Sequence, residues 1–316
     1  MITKISTVGM SREEWLEHRK KAIGGSDAAA VVGLNDYVSA YSLWAEKTGR
    51  IPGFAGNLAT EVGAYLEDFV AKKFEEETGK RVRRENAIIY NDKYPWAHAN
   101  VDRVVVGESA LLEIKTTDSL NMKKFRGGEY PANYYCQAIH YLGVTEKERC
   151  YLAVLIGNKD FRWYTIERDE AEIDALMAAE SEFWKLVQED VPPWADGHRA
   201  TTDVLNTVHG PGNDKTLCLT AHKSDLQNYI ALGKRIAELE TERAEAANRI
   251  KRFMGDFGYG EHDDIRVSWK ASTRRTFDSK RFLKDHPDLD VSEYFKESTA
   301  RTFRVTQMEG DANGSD

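Results

Sequence analysis

A predicted buried strand runs through Ala110-Leu111-Leu112-Glu113-Ile114-Lys115-Thr116. Its first half is apolar, whereas a carboxylate and an ammonium occupy alternate positions further along. Because side chains two residues apart on a strand share a face, Glu113 and Lys115 should point into one cleft while Ile114 points into the core. Burying charged groups without partners is costly, so the pattern indicates a built site rather than a decorated surface.

The preceding strand should add a second carboxylate to this cleft. Residues 97–106 are predicted to pair with 110–116 as a hairpin through the tight connection Gly107-Glu108-Ser109. Hairpin pairing can bring Asp102 beside Glu113 and Lys115. Two carboxylates, with the backbone carbonyl of Ile114 between them, offer the hard oxygen ligands that Mg²⁺ prefers, and the lysine can face a developing negative charge. A purely structural ion pair is the alternative interpretation.

Helices and strands are predicted to alternate on both sides of this hairpin. The capping box Ser11–Glu14 opens a first helix, and further helices are predicted at 26–32, 39–49, 58–78, 133–142 and 169–188. Strands are predicted at 81–90, 97–106, 110–116, 150–156 and 161–167, so four helices should precede the first strand. The pattern predicts an α+β or α/β fold, with a central mixed sheet flanked by helices.

The composition changes after Trp194 and suggests a second unit. We predict one domain over residues 1–194, a linker or surface excursion over 195–213, a second unit over 214–307 and a disordered tail over 308–316. The second unit should be a smaller α+β unit with a long amphipathic helix at about 220–254, suited to packing against a partner. Strands are expected at 265–270 and 301–305.

The bulk composition limits the functions that these motifs can serve. The chain has 316 residues, 41% hydrophobic and 30% charged, with a net charge of −8. An acidic protein cannot coat nucleic acid over its whole surface, so any DNA contact must be local. Two basic clusters are candidates, with solvated surface charge as the alternative: Arg81, Arg83 and Arg84, and Lys123, Lys124 and Arg126.

No apolar run is long enough for a membrane span and no secretory signal is visible, so a cytoplasmic protein without a membrane partner is expected. The three cysteines lack zinc spacing and are expected to be buried, reduced thiols.

Two features outside the hairpin are further candidates. Glu67 lies in the predicted helix 58–78, where it could bind a second metal ion or orient water, although helices carry many glutamates without such a role. Ser26 begins a short helix after Gly24-Gly25, and the exposed amides there could cradle an anion.

Five blocks of sequence, in this order, carry a family resemblance. The chain resembles the YqaJ-type phage recombinase nucleases, which are relatives of lambda exonuclease within the PD-(D/E)xK superfamily. The resemblance covers about residues 11–187 and rests on Arg19-Lys20-Lys21-Ala22-Ile23-Gly24-Gly25-Ser26-Asp27-Ala28, Gly63-Ala64-Tyr65-Leu66-Glu67, Ala99-Asn100-Val101-Asp102-Arg103, Leu112-Glu113-Ile114-Lys115-Thr116, and Tyr134-Tyr135-Cys136-Gln137 with Tyr141. The family usually has a small residue after its first acidic motif, whereas this chain has Arg103.

The resemblance implies a restriction-endonuclease-like fold and a 5′-to-3′ exonuclease acting on double-stranded DNA ends with two Mg²⁺ ions, for which Mn²⁺ can substitute. It implies Asp102, Glu113, Glu67 and the Ile114 carbonyl as metal ligands, and Lys115 as the residue that positions or activates water. It further implies that Gln137 supports the site and that Arg19 and Ser26 hold the terminal 5′-phosphate.

The same resemblance implies a phage or prophage protein in a bacterial host, a single-strand annealing protein as partner, and a homotrimer. Two alternatives use the same residues differently. One is a site-specific endonuclease, although no base-reading element stands out. The other is a non-catalytic module that binds DNA ends, although such a module should present a larger basic surface.

Overall fold

The computed structural model describes residues 1–210, 212–296 and 301–306. The chain forms two compact units, Met1–Gly210 and Pro211–Asp316. The strands of the first unit are β1 (Ile2–Ser6), β2 (Ile23–Gly24), β3 (Val82–Arg84), β4 (Ala87–Asn91), β5 (Ala97–Ala99), β6 (Arg103–Val105), β7 (Ala110–Thr117), β8 (Arg149–Ile156) and β9 (Asp160–Glu167). Its helices are α1 (Arg12–Lys20), α2 (Gly25–Val31), α3 (Ala40–Lys47), α4 (Leu58–Thr78), α5 (Ala132–Thr145), α6 (Glu170–Gln188) and α7 (Arg199–Val208).

A five-stranded mixed sheet with the order β3-β6-β7-β8-β9 forms the centre of the first unit. Its strands pair antiparallel except for β7 and β8, which are parallel and mostly buried. Val70 and Phe74 of α4 pack on one face of the sheet with Ile114. Ala138 and Leu142 of α5 belong to the core on the other face. The predicted central mixed sheet flanked by helices is thereby confirmed.

A second sheet with the order β1-β4-β5-β2 corrects the prediction for two strands. The stretches 81–90 and 97–106 are not continuous strands, because each is divided between the two sheets. The chain leaves the second sheet after Ala99 and enters the central sheet at Arg103. It also begins with β1, so the prediction that four helices precede the first strand is wrong. Four of the five residues of β1 are exposed, and such an edge strand carries little hydrophobic signal.

Helix α7 corrects the interpretation of residues 195–213 as a linker. His198 caps this helix by accepting a hydrogen bond from the Ala200 amide. Val204 is buried in a cluster with residues of α3, and the Thr201 hydroxyl lies 2.8 Å from Ser39 Oγ. The first unit therefore continues to Gly210, past the predicted boundary at Trp194.

The second unit contains the long helix and one of the two strands that were predicted. It consists of α8 (Lys223–Met254), a hairpin of β10 (Tyr259–His262) with β11 (Ile265–Ser268), and α9 (Ser279–Asp285). The predicted strand at 301–305 is wrong, because residues 301–306 are irregular. The predicted tail, 308–316, lies outside the described residues. Within the described residues, no helix combines the length and the apolar character needed to cross a membrane.

The cysteines are free thiols, and two of them are buried as expected. Cys136 lies on α5 and Cys150 on β8, both in the main core. Cys218 is exposed, which corrects the third expectation. It precedes α8 in a segment without regular structure, so its apolar neighbours in sequence do not correspond to a core.

Candidate active site

The β6–β7 hairpin places Asp102 beside the strand that carries the other charged residues. Arg103 pairs with Leu112, so Asp102 lies opposite the start of the Glu113-Ile114-Lys115 segment. Asp102 Oδ2 accepts a 2.7 Å hydrogen bond from the Ile114 amide. Hairpin pairing thus brings Asp102 beside the segment that carries Glu113 and Lys115, as the sequence predicts.

Gln137 of α5 holds the two charged side chains of β7 together. Glu113 and Lys115 share the face of β7 that α5 covers, and Lys115 Nζ lies 2.7 Å from Glu113 Oε1. Gln137 Oε1 accepts from Lys115 Nζ at 2.8 Å, while Gln137 Nε2 donates to Glu113 Oε1 at 2.7 Å. The ring of Tyr134 lies 5.4 Å from Lys115 Nζ and shields it further. One amide therefore orients a carboxylate and an ammonium at once.

Two carboxylates, those of Asp102 and Glu113, share this partly buried cluster with a single ammonium, that of Lys115. Burial, and next the Glu113 carboxylate, raise the pKa of Asp102 well above its usual value. Burial alone lowers the pKa of Lys115, but Glu113 and Asp102 more than offset this and raise it. Glu113 is only 3% exposed, and its Oε2 has no hydrogen-bond partner among the described residues. A buried carboxylate oxygen without a donor, beside a second carboxylate, is suited to a hard divalent cation.

Glu67, the candidate for a second metal ion or for orienting water, is held by Arg103. It projects from α4 and forms an ion pair with Arg103, which is only 4% exposed. Arg103 also donates to Asp68 Oδ1 at 2.7 Å and to the Asp102 carbonyl at 2.7 Å. The Glu67 charge still acts on Asp102, whose pKa it helps to raise. In the described part of the chain, no three His, Cys, Asp or Glu side chains are grouped closely enough to hold a metal ion.

Arg19 and Ser26 lie together above a buried ion-pair network. Arg19 Nη2 donates to Ser26 Oγ and to Asp27 Oδ1, each at 3.0 Å, and its guanidinium lies over the Trp15 ring. Asp27 Oδ2 accepts from Lys47 Nζ at 2.7 Å. Burial alone raises the pKa of Asp27, but Lys47 and Arg19 together lower it below its usual value. Arg19 and Lys47 thus share this network with two carboxylates, Asp27 and the nearby Glu46. Arg19, which also donates to Ser26, is the cation placed to meet an anion there.

Gly24 and Gly25 connect this network to the carboxylate site. A methyl group at Gly24 would lie 3.1 Å from the His98 ring, and one at Gly25 would overlap the ring of Tyr141. Tyr141 in turn accepts a 3.0 Å hydrogen bond from Gln137 Nε2. Only glycine therefore allows the start of α2 to pack this closely on α5.

Four contributors to the site were not assigned a role from the sequence: Asp27, Lys47, Arg103 and Tyr141. Asp27 and Tyr141 lie in the blocks that carry the family resemblance, and Arg103 departs from the family pattern, so each had a local signal. Lys47 had no local signal in the sequence, because its partners are set by tertiary packing.

Both predicted basic clusters have members that pair with acidic side chains. Arg84 forms an ion pair with Asp68, and Arg83 lies 3.1 Å from Glu85. In the other cluster, Lys124 lies 3.4 Å from Asp36. The pairs of Arg84 with Asp68 and of Lys124 with Asp36 are exposed and therefore weak, so these two cations remain able to exchange their partners for phosphates.

The fold and the acidic site define an α+β protein in which a half-buried carboxylate, Asp102, lies beside a buried carboxylate and a half-buried lysine of a central strand. The chain belongs to the YqaJ-like viral recombinase family, whose model matches residues 14–148. The uncharacterized protein YqaJ of Bacillus subtilis (strain 168) is 39% identical over 305 residues, which are 95% of each chain. The family resemblance seen in the sequence is thus confirmed.

Two solved structures are also similar to this chain. The alkaline exonuclease LHK-Exo from Laribacter hongkongensis is 22% identical, with 56% of this chain and 93% of that chain covered and a TM-score of 0.49. A phage-related exonuclease from Haemophilus somnus 129PT is 12% identical, with 54% and 96% covered and a TM-score of 0.41.

Proposed function

We propose that this protein is a metal-dependent exodeoxyribonuclease that degrades double-stranded DNA from its ends in the 5′-to-3′ direction. The observation that carries the proposal is the convergence of Asp102, Glu113 and Lys115, with one buried Glu113 oxygen left without a donor. Membership of a viral recombinase family supports DNA as the substrate.

Asp102, Glu113 and the Ile114 carbonyl would hold Mg²⁺ or Mn²⁺, and Glu67 would join them for a second ion after leaving Arg103. Bound metal would polarise the scissile phosphate, lower the pKa of the attacking water and stabilise the leaving oxygen. Lys115 would orient that water and face the charge that develops on the phosphate, because Gln137 fixes its ammonium beside Glu113.

Arg19 and Ser26 would hold the terminal 5′-phosphate and so set the polarity. Their side chains lie 3.0 Å apart, and the Arg19 guanidinium supplies the positive charge that a phosphate there would meet. A single-strand annealing protein as partner and a homo-oligomeric assembly, both implied by the family resemblance, complete the proposal. A sedimentation measurement of the mass of the full chain tests the number of copies.

Degradation of linear duplex labelled at either the 5′ or the 3′ end tests the proposed activity. We expect Mg²⁺-dependent loss of the 5′ label first, complete inhibition by chelation, and no cleavage of a supercoiled circle. Asp102→Asn and Lys115→Gln should abolish hydrolysis, and Gln137→Ala should slow it by about 10- to 100-fold. Asp174→Asn, at an exposed carboxylate, is the matched control and should behave as wild type. Hydrolysis by purified Asp102→Asn protein would refute the active site, and cleavage of the circle would favour an endonuclease.

Ser26→Ala tests the end-binding role separately from hydrolysis. The variant should lose the preference for 5′-phosphorylated over 5′-hydroxyl ends through a higher KM, with kcat at saturation retained. An unchanged ratio between the two substrates would remove Ser26 from the phosphate site.

A further inference from the structure

Helix α8 carries a seven-residue repeat that the candidate active site does not use. From Tyr229 onward, its residues follow the alternating spacing of three and four positions that is typical of a coiled coil. The first core position of each heptad, a, is occupied by Tyr229, Ile236, Arg243 and Ile250, and the second, d, by Leu232, Leu239, Ala246 and Phe253. This stripe spans 24 helical steps, or about 36 Å.

The stripe is exposed in spite of its apolar character. Ile236 is 56% exposed, Leu239 is 52% exposed and Phe253 is 94% exposed. The best-shielded residue of α8 is Met254, which is 6% exposed and points to a neighbouring side of the helix. Within the described residues, the second unit contacts this stripe at its first position, where the Phe303 ring lies 5.5 Å from that of Tyr229, and leaves Leu232, Ile236, Leu239, Ile250 and Phe253 open to solvent.

We infer that α8 pairs with α8 of a second copy of this chain as a parallel, two-stranded coiled coil. The occupancy of the core positions favours two parallel strands, because a β-branched residue at a with leucine at d packs best in that geometry. Ile236 followed by Leu239 is this combination, and Leu232 and Ile250 continue it on either side.

The charges beside the stripe specify a second copy and its orientation. In a parallel pair, the residue just before a on one helix faces the residue just after the next d on the other. Arg235 of one copy then faces Glu240 of the second copy, and the contact occurs twice by symmetry. An antiparallel pair with aligned ends sets Arg235 against Arg249 and Glu242 against Glu242, so like charges oppose the antiparallel arrangement.

Arg243 is the one charged residue at a core position, and it sets the register. A single polar residue at an a position lowers the stability of a coiled coil but selects one alignment. In the aligned parallel pair, Arg243 lies next to Glu242 of the second copy, which offsets its charge. A slip by one heptad would place Arg243 against Ile236 or Ile250 instead, where no carboxylate is adjacent.

Cysteine cross-linking in the full chain tests the pairing without reference to nuclease activity. In a Cys218→Ser background, Leu232→Cys and Ala246→Cys each place one thiol in the stripe, and Thr241→Cys places one on the opposite face. Because positions 232 and 246 are about 21 Å apart along the helix, only a parallel, aligned pair can form same-residue disulfides at both. We expect covalent dimers at 232 and 246 under mild oxidation, and none at 241. Dimers at neither position, or at only one of them, would overturn the inference. The readout is a covalent bond at a chosen residue, so association through the first unit cannot imitate it.

Charge reversal tests the choice of a second copy as partner. Arg235→Glu should weaken association by about 10-fold in sedimentation velocity, because two attractive contacts become repulsive. Adding Glu240→Arg should restore it. These side chains are exposed, so circular dichroism should show an unchanged fold in both variants. If the double variant associates as weakly as Arg235→Glu alone, the proposed contact is overturned. The same holds if α8 of the wild-type chain packs on another protein or on its own first unit.

Discussion

Lys47 shows at the scale of single residues how the first unit tolerates a buried charge. Its side chain is 2% exposed, yet all three ammonium hydrogens have acceptors. They are donated to the carbonyls of Arg19 and Ala22, at 2.7 and 2.9 Å, and to Asp27 at 2.7 Å. Lys47 therefore fixes both the chain after α1 and the carboxylate that holds Arg19.

Replacing Lys47 by methionine should destabilise the first unit strongly. Removing one member of a buried ion pair leaves the other charge unpaired, which costs about 3–5 kcal/mol. Urea unfolding should show this loss, and Lys20→Met, at an exposed lysine paired with Glu17, should change stability by less than about 0.5 kcal/mol. Equal effects of the two variants would contradict the role of Lys47.

His98 should make the first unit less stable as the pH falls. Burial lowers its pKa from 6.5 to about 3, so the folded protein keeps the ring neutral while the unfolded chain takes up a proton. The stabilising contribution is complete above pH 6.5 and is lost progressively toward pH 3. Between pH 7 and pH 5 the loss amounts to about 2 kcal/mol.

Unfolding free energies of wild type and His98→Phe at pH 7 and pH 5 isolate this contribution. His140, whose pKa Glu180 raises in spite of burial, acts with the opposite sign in both proteins and so cancels from the comparison. The variant should lose about 2 kcal/mol less than wild type between the two pH values. Parallel pH profiles would refute the assignment to His98.

At the scale of elements, helices were predictable because their start and stop signals are local. The capping box at Ser11 and Glu14 has both of its hydrogen bonds, and Gly79 ends α4 with a left-handed φ of 71°. Strand breaks were not predictable in the same way. The run 97–106 looks continuous because its apolar residues serve two different sheets, and which sheet a residue joins depends on distant partners.

Gly233 offers a direct test of local helix propensity. It lies inside α8, and a methyl group added there would contact nothing within 4 Å. Glycine loses more backbone freedom in a helix than alanine does, so Gly233→Ala should stabilise the helix by about 0.5–1 kcal/mol. Thermal unfolding followed at 222 nm should show a higher midpoint. A lower midpoint would mean that the backbone at this position is held in a conformation that alanine resists.

At the scale of the whole molecule, the candidate site was partly predictable. Alternation on one strand and pairing in one hairpin were enough to bring together Asp102, Glu113 and Lys115. The ion pair of Glu67 with Arg103 joins residues that are 36 positions apart, and no local pattern specifies such a contact. The boundary of the first unit was misplaced for the same reason, since α7 is recognised as part of it only by its contact with α3.

Truncation at the two boundaries tests that assignment. A chain of residues 1–210 should be more stable than one of residues 1–194, because the shorter chain uncovers the α3 surface that α7 buries. Burial of Val204 alone contributes about 1.5–3 kcal/mol, and the Thr201–Ser39 hydrogen bond adds to it. Chemical unfolding of both chains measures the difference, and equal midpoints would restore residue 194 as the boundary.

The close approach of Gly25 to Tyr141 couples the start of α2 mechanically to helix α5. Any larger side chain at position 25 must push the Tyr141 ring aside, and Gln137, hydrogen bonded to that ring, must follow. Glu113 and Lys115 would then lose their alignment, although both are far from Gly25 in sequence. A mutation in this glycine pair would therefore have the same effect as a mutation in the acidic cleft itself.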